Sequence, residues 1–223
     1  DLIQYCRVMN AEHILQLPDI QERIKRYFAQ ESEYEEMIRS NSHTEGNVLD
    51  PEFRSFVGLA PIPMRHGMTI GELARFFVHW RGLDVDLEVI WMEGWRRGMD
   101  FAATGLPWVM PSPNIPTADT ALVYPGMVLL EGTNISEGRG TTRPFEIVGA
   151  PWIDPQALAG ALEERDLPGV AFRPLFFRPT FQKYAGVTCG GVQIHVLDRK
   201  RFLPFLTGIH LILCAGKLCP GVF

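Results

Sequence analysis

Three stretches of the chain carry the hydrophobic pattern of helices that pack one face against a core. The first, residues 69–80, opens with Thr69 and Glu72, whose side chains suit a capping box that satisfies the first free amides. The second, residues 155–164, follows an aspartate at its N-cap and begins with proline. The third, residues 205–218, is almost wholly apolar. We therefore predict helices at these three places.

Four shorter apolar runs predict β-strands. Residues 87–91 and 121–130 show little polar alternation, which is typical of strands buried on both faces in a parallel or mixed sheet. Residues 170–177 and 192–197 are also predicted to be strands. Because strands and helices follow one another along the chain, the pattern predicts the α/β fold class.

The last of these strands has two chemically different faces. Gln193 and His195 alternate with apolar residues, so their side chains point to the opposite side of the sheet from those of the valines and isoleucine. We expect Gln193 and His195 to face solvent or a cleft. A single histidine on a strand is more often structural than functional, so His195 is a weaker candidate than the loop residues described below.

Residues 1–45 differ in composition from the remainder of the chain. They hold nine acidic and five basic residues and no glycine, whereas glycine and proline separate short elements from Gly46 onward. Apolar and charged residues alternate at helical spacing between residues 19 and 39. This segment is predicted to be a helical lead-in that carries no chemistry.

Composition excludes several classes of protein. With 223 residues, 46% of them hydrophobic, the chain is long enough to bury a sizeable core. The net charge is −5 and the lysines and arginines are scattered, so the basic surface of a nucleic-acid-binding protein is missing. No run is long enough for a membrane span, and the first residues are not those of a signal peptide. Since the sequence does not begin with methionine, these residues do not reveal localisation.

The four cysteines form no CxxC pair and are too few for a disulfide scaffold. His210, Cys214 and Cys219 have a spacing that admits a metal corner. Buried thiols on an apolar helix explain the same residues better, because zinc sites usually contain two close pairs of ligands. We expect no structural metal and no cofactor.

The segment with the most candidate chemistry is residues 130–146, LEGTNISEGRGTTRPFE. It follows an apolar run and combines arginines, carboxylates and an asparagine with glycines that allow a backbone to approach a ligand. It matches neither a phosphate-binding loop nor a dinucleotide-binding motif. Such a mixture suits an anionic, hydroxyl-rich ligand, because arginine binds carboxylates while glutamate and asparagine bind sugar hydroxyls. A solvated surface loop is the alternative.

Two other segments contain candidates. Arg65 and His66 precede the first helix, where the histidine can polarise or deprotonate a ligand and the arginine can hold charge, or where both simply pack the turn. Trp108 and Asn114 lie in a proline-rich segment, residues 104–117. An exposed tryptophan beside an amide is a common sugar platform, but Trp108 can equally belong to the core.

Four long strings in residues 45–223 resemble, in order and spacing, the NamZ-like family of exo-β-N-acetylmuramidases. They are GNVLDPEFRSFVGLAPIPMRHGMTIGELA, TGLPWVMPSPNIPTADTALVYPGMVLLEGTNISEGRGTTRPFEIVGAPWI, FRPLFFRPTFQKYAGVTCGGVQIHVLDR and TGIHLILCAGKLCPGVF. The resemblance implies an exo-acting glycoside hydrolase that releases terminal N-acetylmuramic acid from peptidoglycan fragments outside the cytoplasmic membrane. It implies part of a Rossmann-like domain at residues 46–152, followed by part of a smaller α+β auxiliary domain at residues 153–223.

Placed on this resemblance, the candidates take two roles. The expected catalytic residues are Glu131, Glu137 and His66. The expected substrate-binding residues are Arg65, Asn114, Asn134, Arg139, Thr142 and Arg143. An arginine of this set is the natural partner for the lactyl carboxylate of muramic acid. The pattern gives no prediction of oligomeric state or stereochemical course.

The sequence also departs from the family pattern. Family members carry a Gly-Pro-Glu-His-Gly motif, whose glutamate is the usual candidate for the catalytic acid, ahead of the position equivalent to Glu45. That motif does not occur here, so the chain is expected to be an incomplete copy. Glycoside hydrolysis generally uses two carboxyl groups. A non-catalytic sugar-binding remnant and an inactive fragment are therefore the alternatives to an active glycosidase.

Overall fold

A computed structural model describes residues 44–222 of the chain. The predicted helix at residues 19–39, and the lead-in at residues 1–45 apart from its last two positions, lie outside the described residues. Contacts along the chain separate two compact units, which are divided after Gly98. Among the described residues, each unit has its own sheet.

The described part of the first unit consists of a two-stranded sheet and one helix. Strands β1 (Glu45–Val48) and β2 (Pro63–Arg65) pair antiparallel. Helix α1 (Ile70–Arg81) follows, which confirms the predicted helix. Its capping box is complete, because the Thr69 hydroxyl accepts from the Glu72 amide while the Glu72 carboxylate accepts from the Thr69 amide.

The predicted strand at residues 87–91 is wrong. These residues form no regular structure, and Ile90 and Trp91 are 90% and 58% exposed. The Trp91 ring lies against the Arg75 guanidinium at 4.9 Å instead of packing in a sheet. A short apolar run predicts a buried strand only where a neighbouring strand exists to bury it, and acidic residues surround this run on both sides.

The second unit contains a three-stranded antiparallel sheet. Its strands are β3 (Ile147–Ala150), β4 (Val170–Phe177) and β5 (Cys189–Val196), in the spatial order β3-β5-β4. The two later strands were predicted, whereas β3 was not. Because every ladder in this sheet is antiparallel, the expected parallel or mixed arrangement is not found among the described residues.

The predicted strand at residues 121–130 is also wrong. Helix α2 (Ala118–Met127) and the 3-10 turn Val128–Gly132 occupy this stretch. Thr117 caps the helix by accepting from the Thr120 amide. An uninterrupted apolar run has no periodicity that separates a strand from a buried helix, and the threonine cap was the local signal that favoured the helix.

Two further helices confirm their predictions. Helix α3 (Pro155–Glu163) is capped by Asp154, and helix α4 (Pro204–Leu218) packs against α2. Together with the sheet, α2, α3 and α4 enclose the core of the unit. Its largest fully buried side chains are those of Phe145, Phe202, Met127, Leu130, Ile135, Leu158, Leu162 and Leu211.

The chain is an α/β protein, as predicted. The predicted domain boundary at residue 152 falls inside the second unit, where β3 on one side of it pairs with β5 on the other. None of the described helices combines the length and apolar character that crossing a bilayer requires.

Candidate functional site

The polar loop predicted as a binding site runs from the end of α2 to the start of β3. Ser136 ties it to the sheet by exchanging backbone hydrogen bonds with Gly149 at 2.8 and 3.0 Å. The Phe145 amide closes the loop on the Glu137 carbonyl at 2.6 Å. Gly138 adopts a φ of 79°, a conformation that side-chain-bearing residues rarely adopt, and its missing Cβ leaves room for the Ile147 carbonyl. The loop is therefore a fixed part of the second unit.

Three of the predicted site residues meet in one ion network. Arg139 pairs with Glu131, and its Nε lies 3.7 Å from Glu137 Oε1. Lys183, a residue that sequence reasoning missed, brings its Nζ within 3.3 Å of Glu137 Oε2. We call Glu131, Glu137, Arg139 and Lys183 the lysine-anchored cluster. Glu137 is only 3% exposed, so water cannot stabilise its charge. Arg139 and Lys183 balance that charge instead.

Lys183 also fixes the backbone of the loop. Its Nζ donates to the carbonyl oxygens of Leu130 at 2.7 Å and Ile135 at 3.0 Å. The Arg139 guanidinium stands over the Phe145 ring at 5.3 Å. These contacts make the lysine-anchored cluster a structural tie between the loop and the segment that joins β4 to β5. No sequence pattern connects Lys183 with a loop about fifty residues earlier.

Arg143 lies apart from this cluster. Its Nη1 donates to Glu146 Oε2 at 3.2 Å, and its side chain is 45% exposed. The expectation that Arg139, Arg143, Glu131 and Glu137 share one hollow is therefore met only in part. Arg139, Glu131 and Glu137 form one group, while Arg143 belongs to another.

The second group lines a cavity of about 270 Å³ at the edge of the sheet. Its lining residues are Asp119, Val123, Arg143, Glu146 and residues 193–197 of β5 and the turn that follows. Because β3 begins at Ile147, opposite Gln193, the last residues of β5 extend past the start of β3. We call this space the Arg143 cavity.

Glu146 is a buried carboxylate of the Arg143 cavity, with 5% of its surface exposed. Its Oε1 accepts from the Thr120 hydroxyl at 2.5 Å and from the Thr117 hydroxyl at 3.4 Å. Both threonines belong to the beginning of α2, where the helix dipole and free amides favour a negative charge. Glu146 is thus held by hydroxyls on one oxygen and by Arg143 on the other. It is a second residue to which sequence reasoning gave no role.

Asp119 and β5 complete the lining. Asp119, in the first turn of α2, accepts from the Arg199 guanidinium. Gln193 Oε1 accepts from Arg173 at 2.6 Å, and the buried Nε2 of His195 has no hydrogen-bond partner among the described residues. Gln193 and His195 were predicted to face solvent or a cleft, and both lie in the cavity wall.

The other predicted binding residues of the second unit lie outside the Arg143 cavity. Asn134 donates to the Val222 carbonyl, and its own carbonyl accepts from the Tyr184 hydroxyl at 2.6 Å. Thr142 is exposed. The backbone N–H of Asn114 donates to Ser112 Oγ at 3.2 Å. These contacts support the shape of the chain and leave the predicted roles of the three residues as predictions.

Trp108 is packed within its own loop. Its Nε1 donates to the Ile115 carbonyl at 3.3 Å, and its ring meets Phe101 edge to face at 5.0 Å. With its donor occupied and its ring edge against another aromatic side chain, Trp108 mainly organises the proline-rich segment.

Arg65 and His66 belong to the first unit. Arg65 Nη1 donates to Glu45 Oε1 at 2.6 Å, which links β2 to β1. His66 Nδ1 accepts from the Met68 amide at 3.1 Å, and burial lowers the pKa of the His66 imidazole below its ordinary value. The acceptor role of Nδ1 and the lowered pKa both favour the neutral form of the imidazole.

The cysteines of the described region behave as packed thiols. Cys214 donates to the Ala161 carbonyl and Cys219 to the Trp152 carbonyl. Among residues 44–222, histidine, cysteine, aspartate and glutamate nowhere gather in threes with the geometry of a metal site.

Comparison with known proteins gives consistent matches. Two family models cover most of the chain: "Exo-beta-N-acetylmuramidase NamZ, N-terminal" matches residues 37–119, and "Exo-beta-N-acetylmuramidase NamZ, C-terminal" matches residues 122–223. The peptidoglycan β-N-acetylmuramidase NamZ of Bacillus subtilis (strain 168) is 51% identical over 185 residues. That alignment covers 83% of this chain and 45% of the Bacillus protein.

Two crystal structures of DUF1343 family proteins from Bacteroides fragilis NCTC 9343 are similar to the chain. The first has a TM-score of 0.73 and 34% identity, and the match covers 78% of this chain and 46% of that one. The second has a TM-score of 0.54 and 28% identity, with 73% and 44% covered. The chain therefore spans less than half the length of each of these relatives.

Proposed function

The chain belongs to the family of the exo-β-N-acetylmuramidase NamZ, and on that premise we propose that it is a glycosidase acting on peptidoglycan fragments. The proposed reaction is the release of a terminal N-acetylmuramic acid residue by hydrolysis of its glycosidic bond. Since the chain spans 45% of the Bacillus relative, this activity is proposed for the chain and not taken over from the relative.

The observation that carries the proposal is the Arg143 cavity. Its volume of about 270 Å³ is slightly below the range of sites for drug-sized ligands, so it suits a single sugar better than a long saccharide. Its wall offers the half-exposed guanidinium of Arg143 and the amide of Gln193, groups that bind carboxylates and hydroxyls. A terminal amino sugar that carries a carboxylate has the matching chemistry.

The catalytic roles of Glu131, Glu137 and His66 remain proposals. Glycoside hydrolysis needs a carboxyl group that gives up a proton and a second that stabilises or attacks the anomeric carbon or activates water. Glu131 is 39% exposed at its side chain and is accessible to a ligand, whereas Glu137 is buried against two cations. Of these two glutamates, Glu131 is therefore the better candidate for proton transfer.

We extend the proposal to location and domain type by the same family relationship. The protein acts where peptidoglycan is turned over, outside the cytoplasmic membrane of a bacterium. Residues 46–152, the segment predicted from the sequence, are then the closing part of a Rossmann-like domain.

The direct test incubates the purified chain with a chromogenic N-acetylmuramic acid β-glycoside and measures release of the chromophore. Turnover that disappears in Glu131→Gln supports the proposal. Glu163→Gln serves as the matched control because it makes the same change at an exposed glutamate at the end of α3, outside the predicted site. Absence of turnover at any concentration of a well-folded chain contradicts it.

A second candidate function is sugar binding without cleavage. It is favoured by the lysine-anchored cluster, in which two of the predicted catalytic groups are occupied by arginine or lysine of the same chain. Titration with free N-acetylmuramic acid, performed beside the glycosidase assay, separates the two functions. Binding without turnover supports this second function.

A further inference from the structure

We infer that Arg143 determines a preference for a carboxylate-bearing sugar over a neutral one. Glu146 is the positioning residue that holds the Arg143 guanidinium in place for this role. Glu146 in turn is held by the hydroxyl groups of Thr120 and Thr117. The inference rests on the proposed function for the class of ligand, a single amino sugar. It adds a specificity mechanism to the Arg143 cavity.

The first step concerns the carboxylate of Glu146. A buried carboxylate is stable only where donors surround both oxygens. The hydroxyl groups of Thr120 and Thr117 lie 2.5 and 3.4 Å from Oε1, and Arg143 Nη1 lies 3.2 Å from Oε2. With donors at both oxygens and only 5% of its surface exposed, Glu146 is a fixed acceptor for the guanidinium.

The second step concerns the donors that remain on Arg143. A guanidinium carries five N–H donors in a planar fork, and Glu146 contacts only Nη1. The side chain is 45% exposed and forms part of the cavity wall. Holding one edge of the fork reduces the rotational freedom that a ligand must otherwise remove, so the other donors are presented in advance to a carboxylate.

The third step concerns repulsion from other charges. The cavity wall also contains Asp119, and an unpaired aspartate would oppose an anionic ligand. Asp119 accepts from Arg199, just as Glu146 accepts from Arg143. Each carboxylate of the wall is therefore paired with a guanidinium, although Asp119 shares that of Arg199 with Asp100. A ligand carboxylate that reaches Arg143 meets no unpaired carboxylate in the wall.

The experiment compares two sugars that differ in the lactyl carboxylate. Binding of N-acetylmuramic acid and of N-acetylglucosamine to the full chain is measured by calorimetric titration at pH 7. The parent should prefer the acidic sugar by roughly tenfold or more, the effect of one charge-assisted hydrogen bond. Arg143→Ala should remove this preference by weakening the acidic sugar alone, while the affinity for N-acetylglucosamine stays within about twofold.

A matched pair of variants tests the positioning role. Thr120→Val removes the hydroxyl that holds Glu146, and Thr120→Ser keeps it. The valine variant should lower the preference about three- to tenfold, as expected for one hydrogen bond to a charged group, and the serine variant should retain it. A merely structural role of Thr120 would change the affinity for both sugars equally. Glu146→Gln, which keeps an acceptor but removes the charge, should behave like the valine variant.

Several results overturn the inference. These are a parent that binds neither sugar, a parent without preference, and variants of Arg143 and Thr120 that weaken both sugars by the same factor. Hydrolysis of the muramic acid glycoside by a chain without preference leaves the proposed function standing and removes this inference alone. Preferential binding of the acidic sugar without hydrolysis leaves this inference standing and removes the proposed function.

Discussion

Two glycines allow helices α2 and α4 to touch through their backbones. A Cβ atom on Gly126 would overlap the Pro204 carbonyl, and one on Gly208 would overlap the Gly126 carbonyl. Interiors packed at this density do not absorb an added methyl group without moving backbone. The contact between the two helices therefore depends on the missing side chains of these two residues.

Gly126→Ala should lower the free energy of unfolding by about 1–3 kcal/mol, the usual cost of overpacking a core. Gly160→Ala is the matched control, since Gly160 also lies in a helix but has open space where a Cβ would stand. The control should be stabilised by about 0.5–1 kcal/mol, because alanine loses less backbone entropy in a helix. Urea unfolding followed by circular dichroism measures both values. Equal effects of the two substitutions would contradict the close-contact explanation.

Cys189 is a fully buried thiol at the start of β5. Burial raises the pKa of the Cys189 thiol to about 11, so the reactive thiolate is scarce at pH 8. We expect Cys189 to react with a thiol reagent much more slowly than the partly exposed Cys219, as measured by mass spectrometry of modified peptides. Labelling of both residues at the same rate in the folded protein would refute this expectation.

Capping signals located two of the three helices that the sequence predicted. Helices α1 and α3 start with a threonine capping box and an aspartate cap, and both were predicted within one or two residues. Helix α2 also has a threonine cap, but its apolar run concealed helical periodicity and was interpreted as a strand. The hydrogen bonds of a helix cap depend on residues that are close together in the sequence. The choice between a strand and a buried helix depends on tertiary packing.

The capping box of α1 predicts a dependence of stability on pH. Burial alone raises the pKa of Glu72, but the Thr69 amide and the Arg97 guanidinium outweigh it and lower the pKa below the usual value of 4.5. A carboxyl group whose folded pKa is lowered stabilises the fold above its unfolded pKa, and this contribution is lost as the pH falls through the folded pKa.

Glu72→Gln should therefore be less stable than the parent at pH 7, and the difference should shrink as the pH falls below about 4.5. Thermal melts at pH 7 and at several acidic values measure it. Glu163→Gln is the control, because Glu163 is exposed at the end of α3 and should change little at any pH. A gap that widens toward acid would refute the assigned sign.

At the scale of the whole molecule, the described residues of the two units bury unequal numbers of hydrophobic side chains. Among the described residues of the first unit, the buried hydrophobic side chains are those of Ala60 and Phe76. Every member of the connected hydrophobic core belongs to the second unit. Few buried apolar contacts mean low local free energies of opening. The second unit should accordingly be the more stable part of the described chain.

Hydrogen exchange of the intact chain, followed by mass spectrometry, tests this difference. Peptides from β5 should exchange much more slowly than peptides from β1 and β2, because β5 is the central strand of a sheet that covers the core. Similar protection of the two sheets would show that the first unit draws support from residues beyond the described core.

The candidate site was predictable only as far as neighbouring residues define it. The polar loop was recognised from its glycines and charges, and Arg143 was singled out within it. Its division into two groups was not foreseen, because Lys183 and Thr120 reach the loop from other elements. The fold class could be derived from the alternation of elements, but the antiparallel order of the sheet depends on pairings between distant segments.

Lys183 has a consequence for the chain while it is being made. The carbonyl groups of Leu130 and Ile135 leave the ribosome 53 and 48 residues before the lysine that binds them. Until residue 183 emerges, the carboxylate of Glu137 lacks one of its two cations, and the loop has no tether to the β4–β5 connection. We therefore expect nascent chains halted before this position to be cut by proteases within residues 130–146, and those halted well beyond it to resist.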